Sequence, residues 1–171
     1  MELQERWLQE YQPRVFRAAC LILRDPAAAE DIAQETFLRA AWARPSIAPG
    51  DDASRWLYRV AVNLSLNVLR ARRREERALA RLGVDPEADP GGPDRLEASV
   101  TASTVAEALE KLPERLRVPV ILHYYLELSE KEIAGMVGVP RGTVKSRLHS
   151  ARGLLAMDAS IGAVHSAVGE G

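Results

Sequence analysis

With 171 residues, 47% hydrophobic and 27% charged, the chain can form one large or two small globular domains, and its composition excludes a disordered or fibrous protein. A net charge of −1 argues against a uniformly basic nucleic-acid binder, yet the charge is segregated: Arg70–Arg81 and Arg141–Arg152 are basic, Asp25–Glu35 and Asp85–Glu97 acidic. One cysteine, Cys20, excludes an internal disulfide and a Cys-based metal site, and no apolar run is long enough to span a membrane. Cys20 is expected in a core as a small apolar residue. The N-terminal MELQERW lacks the form of a signal peptide, so a soluble cytoplasmic protein without direct membrane insertion is expected.

Strand signals are weak and helical periodicity is strong, which predicts an all-α protein. In residues 2–23, Leu3, Trp7, Tyr11, Val15, Ala18, Ala19 and Ile22 recur close to i, i+4. Asp25-Pro26 has the form of an N-cap followed by proline in the first turn. The helix it opens should run to about Ala43, stopped by Pro45, with Ile32, Phe37, Leu38, Ala41 and Trp42 as its apolar side. Residues 45–52 read as a loop. A long helix follows from about Ala53 into the arginines near Arg74, fraying before Arg81.

That long helix carries two stripes. Leu57, Val60, Ala61, Leu64 and Val68 are the expected buried one. Trp56, Arg59, Asn63, Asn67, Arg70 and Arg74 form a polar-aromatic stripe about a quarter-turn away. Single-stranded DNA needs cations along its backbone and planar or amide groups at its bases, and this stripe supplies both. Trp56 and Tyr58 suit a core position equally well.

Residues 83–95 hold three prolines, three glycines and repeated acids, with almost nothing to bury, so a flexible acidic linker is expected there. A second helical module should begin near Leu96, with helices over 100–112 and 114–125. Ser129 with Glu132 is a capping box, and Ile133, Met136 and Val137 give the next helix a core face. Gly138 breaks it, and Pro140 suits the first position of another helix. So short a connection predicts a helix-turn-helix.

In the second of those helices, Val144, Leu148, Ala151 and Leu155 fall on one stripe. Lys145, Ser146 and His149 point the other way, with Ser150 at the edge, and no acid lies between Arg141 and Arg152. Lysine donates to guanine acceptors and serine pairs with several bases, so these four are the expected sequence readers. Arg141, Thr143, Arg147 and Arg152 are better placed for phosphates, which fix register without reading sequence. None of the three histidines, His123, His149 and His165, has a second histidine or a cysteine at i+4, so a metal site and a cofactor are not expected.

Three segments in this order, AEDIAQETFLRAA at 29–41, WLYRVAVNL at 56–64, and LSEKEIA with GTVKSRLHSAR across 128–152, resemble an extracytoplasmic-function (ECF) sigma factor of the sigma-seventy family. The resemblance covers roughly residues 5–157. It implies two small helical domains: region two at 1–82, which binds core RNA polymerase and the minus-ten element, and region four at 96–157, which binds the minus-thirty-five element. The linker at 83–95 joins them, and the tail at 158–171 has no assigned role.

By the same resemblance, Asn63 contacts an extruded base, the 45–52 loop closes over it, and Arg70, Arg72, Arg73 and Arg74 hold nearby phosphates. Asp31, Gln34 and Glu35 are then placed against the polymerase. Asn67 departs from the family, whose members often carry Asp there. Core polymerase, promoter DNA and an anti-sigma factor are the implied partners, with no small-molecule substrate. A free-standing helix-turn-helix regulator would need a dimer surface, and no heptad seam is visible. An enzyme would need a catalytic constellation, and no phosphate-cradling glycine loop, no HExxH pattern and no paired carboxylates in a plausible pocket are found.

Overall fold

The computed structural model describes residues 2–43, 51–84 and 100–158, and helices are the regular structure found among them. The expected 45–52 loop falls almost wholly outside these residues, as do most of the 83–95 linker and of the 158–171 tail. The side chains of Leu3 and Trp7 also lie outside the described residues. The chain divides into two compact units, Met1–Gly92 and Pro93–Gly171.

The first unit holds α1 (Glu2–Leu23), α2 (Pro26–Ala43) and α3 (Asp51–Arg81). The turn between α1 and α2 is two residues long. Arg24 takes the left-handed conformation (φ 55) and its N–H returns to the Cys20 carbonyl at 2.8 Å. Glycine or asparagine usually fills such a position, so no residue type announces this helix end. Asp25 caps α2 as expected, its carboxylate accepting from the Ala28 N–H at 3.0 Å.

All three helices contact one another. Val15, Ala18, Ala19 and Ile22 of α1 meet Ala29, Ile32, Ala33 and Ala40 of α2 and Leu57, Tyr58, Ala61, Val62, Leu66 and Leu69 of α3 in the core. Cys20 is buried with them, and burial pushes its thiol up to about 11, with Asp25 adding to the rise. Thr36 and Ser65 are buried too, their hydroxyls donating to the Ile32 and Ala61 carbonyls one turn back at 2.7 and 2.8 Å.

Two expected stripes are corrected. On α2 the buried line is Ala29, Ile32, Ala33, Thr36 and Ala40. Phe37 is half-buried, Ala41 is exposed, and Leu38 and Trp42 are 58% and 86% exposed. Small side chains let α2 approach its neighbours closely, so the larger apolar residues are left outside. On α3 the buried side is rotated toward Tyr58, Val62, Ser65 and Leu69, leaving Val60, Leu64 and Val68 half-buried. That rotation follows from packing against two helices at once, α1 and α2.

The second unit holds α4 (Val100–Lys111), α5 (Glu114–Val120), a π-helical turn (Ile121–Tyr125), α6 (Glu130–Val137) and α7 (Arg141–Met157). The single helix expected over 114–125 is thus divided. Pro119 has no N–H for the carbonyl one turn back, and just beyond it the register widens, with Leu126 N–H reaching the Ile121 carbonyl at 3.2 Å. Leu116, Val118, Val120, Ile121, Leu122, Leu126 and Leu128 build the core against Ile133, Val144, Leu148 and Ala151.

The α6 cap has both halves of the capping box: Glu132 N–H donates to Ser129 Oγ at 3.2 Å and Ser129 N–H to Glu132 Oε2 at 2.9 Å. Gly138 ends α6 in the left-handed region (φ 74). Pro140 is not the first residue of α7 but its extended N-cap, whose carbonyl accepts from Thr143 N–H at 3.0 Å and Val144 N–H at 3.2 Å.

Candidate nucleic-acid interface

Burial of Val144, Leu148 and Ala151 against α5 and α6 fixes the rotation of α7. Lys145, Ser146, His149 and Ser150 are then all exposed, as the periodicity requires. Thr143 and Arg147 are half-buried on one flank. Arg141 and Arg152 are exposed on the other, on the side of Lys145. No carboxylate from α7 itself interrupts this surface.

Two partners on the Arg141–Arg152 flank were not legible in the sequence. Glu130 Oε2 accepts from Arg141 Nε at 3.3 Å across the helix-turn-helix. Tyr124 Oη accepts from an Arg152 terminal nitrogen at 3.0 Å. The Tyr124 ring stands edge-on to His123, centroids 4.8 Å apart, and His123 Nδ1 lies 2.9 Å from the Leu128 carbonyl. A carbonyl only accepts, so His123 carries its proton on Nδ1 in this contact. Tyr124 thus offers Arg152 a hydroxyl partner at the surface of the same unit. Its place depends on the π register, which no local spacing rule reveals.

On α3, Arg59, Asn63, Asn67, Arg70, Arg73 and Arg74 are exposed and Trp56 is half-buried, so the polar stripe lies on the side of the helix away from its buried residues. Asn67 Oδ1 accepts from an Arg70 terminal nitrogen at 3.1 Å. Tyr58 belongs to the core at 7% exposure, with the Arg14 guanidinium 5.3 Å from its ring centroid.

Arg72 departs from its expected role. One terminal nitrogen pairs with Asp25 Oδ2 at 2.6 Å and the other donates to the Leu23 carbonyl at 3.3 Å. It ties α3 to the α1–α2 turn rather than facing outward with Arg70, Arg73 and Arg74. The Asp25 carboxyl is held below its ordinary range, first by the Ala28 N–H and then by Arg72, against an opposing contribution from burial.

On α2, Asp31 and Gln34 are exposed, while half-buried Glu35 is paired at 2.6 Å with Arg39 one turn on. Leu38 and Trp42 lie on this same side of the helix, making it a mixed polar and apolar face. Among the described residues, no group of three or more His, Cys, Asp or Glu is placed to hold a metal ion, and no helix is long and apolar enough to cross a membrane.

Comparison with known proteins finds matches to both units. The family model for sigma-70 region 2 matches residues 7–75 and that for sigma-70 region 4 matches residues 103–155. The ECF RNA polymerase sigma factor SigW of Bacillus subtilis is 31% identical over 157 residues, covering 83% of this chain and 81% of the relative. SigL of Mycobacterium tuberculosis, also an ECF RNA polymerase sigma factor, is 36% identical over 152 residues, covering 83% and 80%. Among solved structures, the sigma factor RpoE of Bartonella quintana, in complex with the anti-sigma factor NepR, superposes with a TM-score of 0.65 at 26% identity, covering 91% of this chain and 95% of that one. With a helix-turn-helix in the second unit, a polar face on α3 of the first, and this degree of identity over most of both chains, the protein belongs to the ECF family of RNA polymerase sigma factors.

Proposed function

We propose that this chain is a promoter-specificity subunit that binds core RNA polymerase and directs promoter-specific transcription initiation in the cytoplasm. The observation that carries the reading is the pair of exposed, arginine-bearing polar faces on separate compact units, α3 in one and α7 in the other. A free-standing regulator needs only the second.

Residues 1–82 act as region two and 96–157 as region four, joined through 83–95; the matched ranges 7–75 and 103–155 support this division. On α7, Lys145, Ser146, His149 and Ser150 read base edges of the minus-thirty-five duplex while Arg141, Thr143, Arg147 and Arg152 hold phosphates. On α3, Asn63 receives an extruded minus-ten base, beside Trp56, Arg59 and Asn67, and Arg70, Arg73 and Arg74 hold its backbone. Unstacking that base costs a few kcal/mol, which contacts along α3 must return. The face bearing Asp31, Gln34 and Glu35 meets the polymerase. An anti-sigma factor holds the protein inactive by covering DNA-binding surface, a reading supported by the likeness to a sigma factor solved with its anti-sigma partner. The chain is not an enzyme and needs no cofactor; nucleotide addition belongs to the polymerase.

The test is transcription in vitro, with purified chain and bacterial core polymerase on fragments of the source genome. New transcripts sharing an upstream motif are expected. Tight sequence-specific DNA binding without polymerase, and no transcript with it, would establish a free-standing regulator instead.

A further inference from the structure

The exposed face of α3 continues past the groups assigned to the melted strand. The helix does not fray before Arg81. It runs to that residue and closes in a left-handed turn at Gly83 (φ 72), with the Val84 N–H returning to the Leu79 carbonyl at 3.1 Å. From Arg73 to Val84 every residue is exposed except half-buried Leu79, so this stretch contributes little to the core of its unit. At about 100° per residue, Arg77 and Arg81 fall on one line with Arg70 and Arg74, whereas Glu75 and Glu76 fall off it.

The chemistry of that line changes along its length. Trp56, Asn63 and Asn67 offer stacking and amide groups; from Arg70 onward the line holds guanidinium groups alone, with Ala71, Ala78 and Ala80 in between. Cations without stacking partners hold phosphates but grip unstacked bases poorly. Duplex DNA is the denser phosphate target, with a charge about every 1.7 Å of axis. At about 1.5 Å of rise per residue, Arg77 and Arg81 stand about 21 and 27 Å along the helix from Asn63, well beyond the position assigned to the extruded base. Helix-dipole compensation would account for Arg81 alone, since that effect fades beyond the last turn.

We infer that Arg77 and Arg81 form a second DNA site on α3, a phosphate clamp for duplex DNA continuous with the segment that captures the melted strand. This rests on α3 being the strand-capturing helix of a polymerase-bound sigma factor.

The test uses holoenzyme assembled from core polymerase and the full chain, either wild type or Arg77→Ala/Arg81→Ala. Binding is measured to the promoter fragment found by the transcription assay, as duplex across a salt series, and to its single-stranded minus-ten oligonucleotide. The variant is expected to bind duplex more weakly, with the slope of log affinity against log salt shallower by about 1.8, or about 0.9 for each phosphate no longer neutralised. Single-strand capture and sequence preference should not change, and Arg77→Lys/Arg81→Lys should restore the slope.

A wild-type slope in the alanine variant overturns the clamp. An equal loss on the single strand moves the pair to the melted region and overturns it too. Failure to assemble with polymerase, at wild-type helix content by circular dichroism, places the pair on a protein surface and does the same. If the wild-type chain programs no transcription, the reading of α3 fails and the clamp with it; a working wild type with an unchanged slope in the variant rejects the clamp alone.

Discussion

Arg72→Ala should lower stability without touching DNA binding, although Arg72 lies in the middle of an arginine run. Its guanidinium is paired with Asp25 at 2.6 Å and reaches the Leu23 carbonyl at 3.3 Å, so the side chain closes the α1–α2 turn onto α3. Both side chains are about a third exposed, at 37% and 33%. Solvent screening therefore holds the net value of the pair to about 1 kcal/mol, the upper end for exposed pairs. For the unit that holds the pair, Met1–Gly92, that is a fall in Tm of about 4–8 °C. Asp25→Asn should cost a similar amount, because asparagine still caps α2. Combining the two changes should cost little more than either, since both remove the same pair.

Acid should erode the same contribution. The Asp25 carboxyl is held low, first by the Ala28 N–H and then by Arg72. Its stabilisation is thus fully present above the unfolded carboxyl's value of about 4 and is lost as pH falls through the lower folded value. Chemical denaturation from neutral pH down past 4, beside a salt titration of promoter binding by holoenzyme, separates the two roles. An Arg72→Ala protein of unchanged stability whose salt slope falls by about 0.9 would refute the structural assignment and return Arg72 to the phosphate-holding group.

Other perturbations test the two faces separately. Lys145→Ala should weaken recognition of the minus-thirty-five element, whereas Asn63→Ala should impair open-complex formation with upstream binding retained; equal effects of both on duplex binding would contradict the division of labour. Arg152→Ala should weaken promoter binding alike across sequences and flatten its salt dependence. A changed sequence preference would make Arg152 a base reader. Gly138→Ala should destabilise the second unit by about 1 kcal/mol, because alanine is strained at φ 74 while its added methyl meets nothing within 4 Å. An unchanged denaturation midpoint would show that the α6–α7 turn relaxes without cost.

Much of this protein was legible because its signals are local. The Asp25 and Ser129 caps need only the residues within a turn of them, and Gly138 needs only its own missing side chain. The outward face of α7 follows from period 3.6 once Val144, Leu148 and Ala151 are assigned to the core. Local signals failed where several helices compete for one surface. Leu38 and Trp42 are large and apolar, yet the three-helix core selects Ala29, Ala33, Thr36 and Ala40, since close approach rewards small side chains over hydrophobic ones.

Charge showed the same limit. Arg70, Arg72, Arg73 and Arg74 are equivalent as sequence, and only the fold turns Arg72 inward to Asp25, 47 residues away. Tyr124 reaches Arg152, 28 residues along the chain, because a π turn intervenes after Pro119. The sequence by itself determined the helical class, the Asp25 and Ser129 caps and the outward face of α7, since each depends on neighbours within a turn or two. The tertiary structure decided which of several chemically equal side chains face the core, a partner residue or open solvent, because that choice depends on what the other helices bring to the same place.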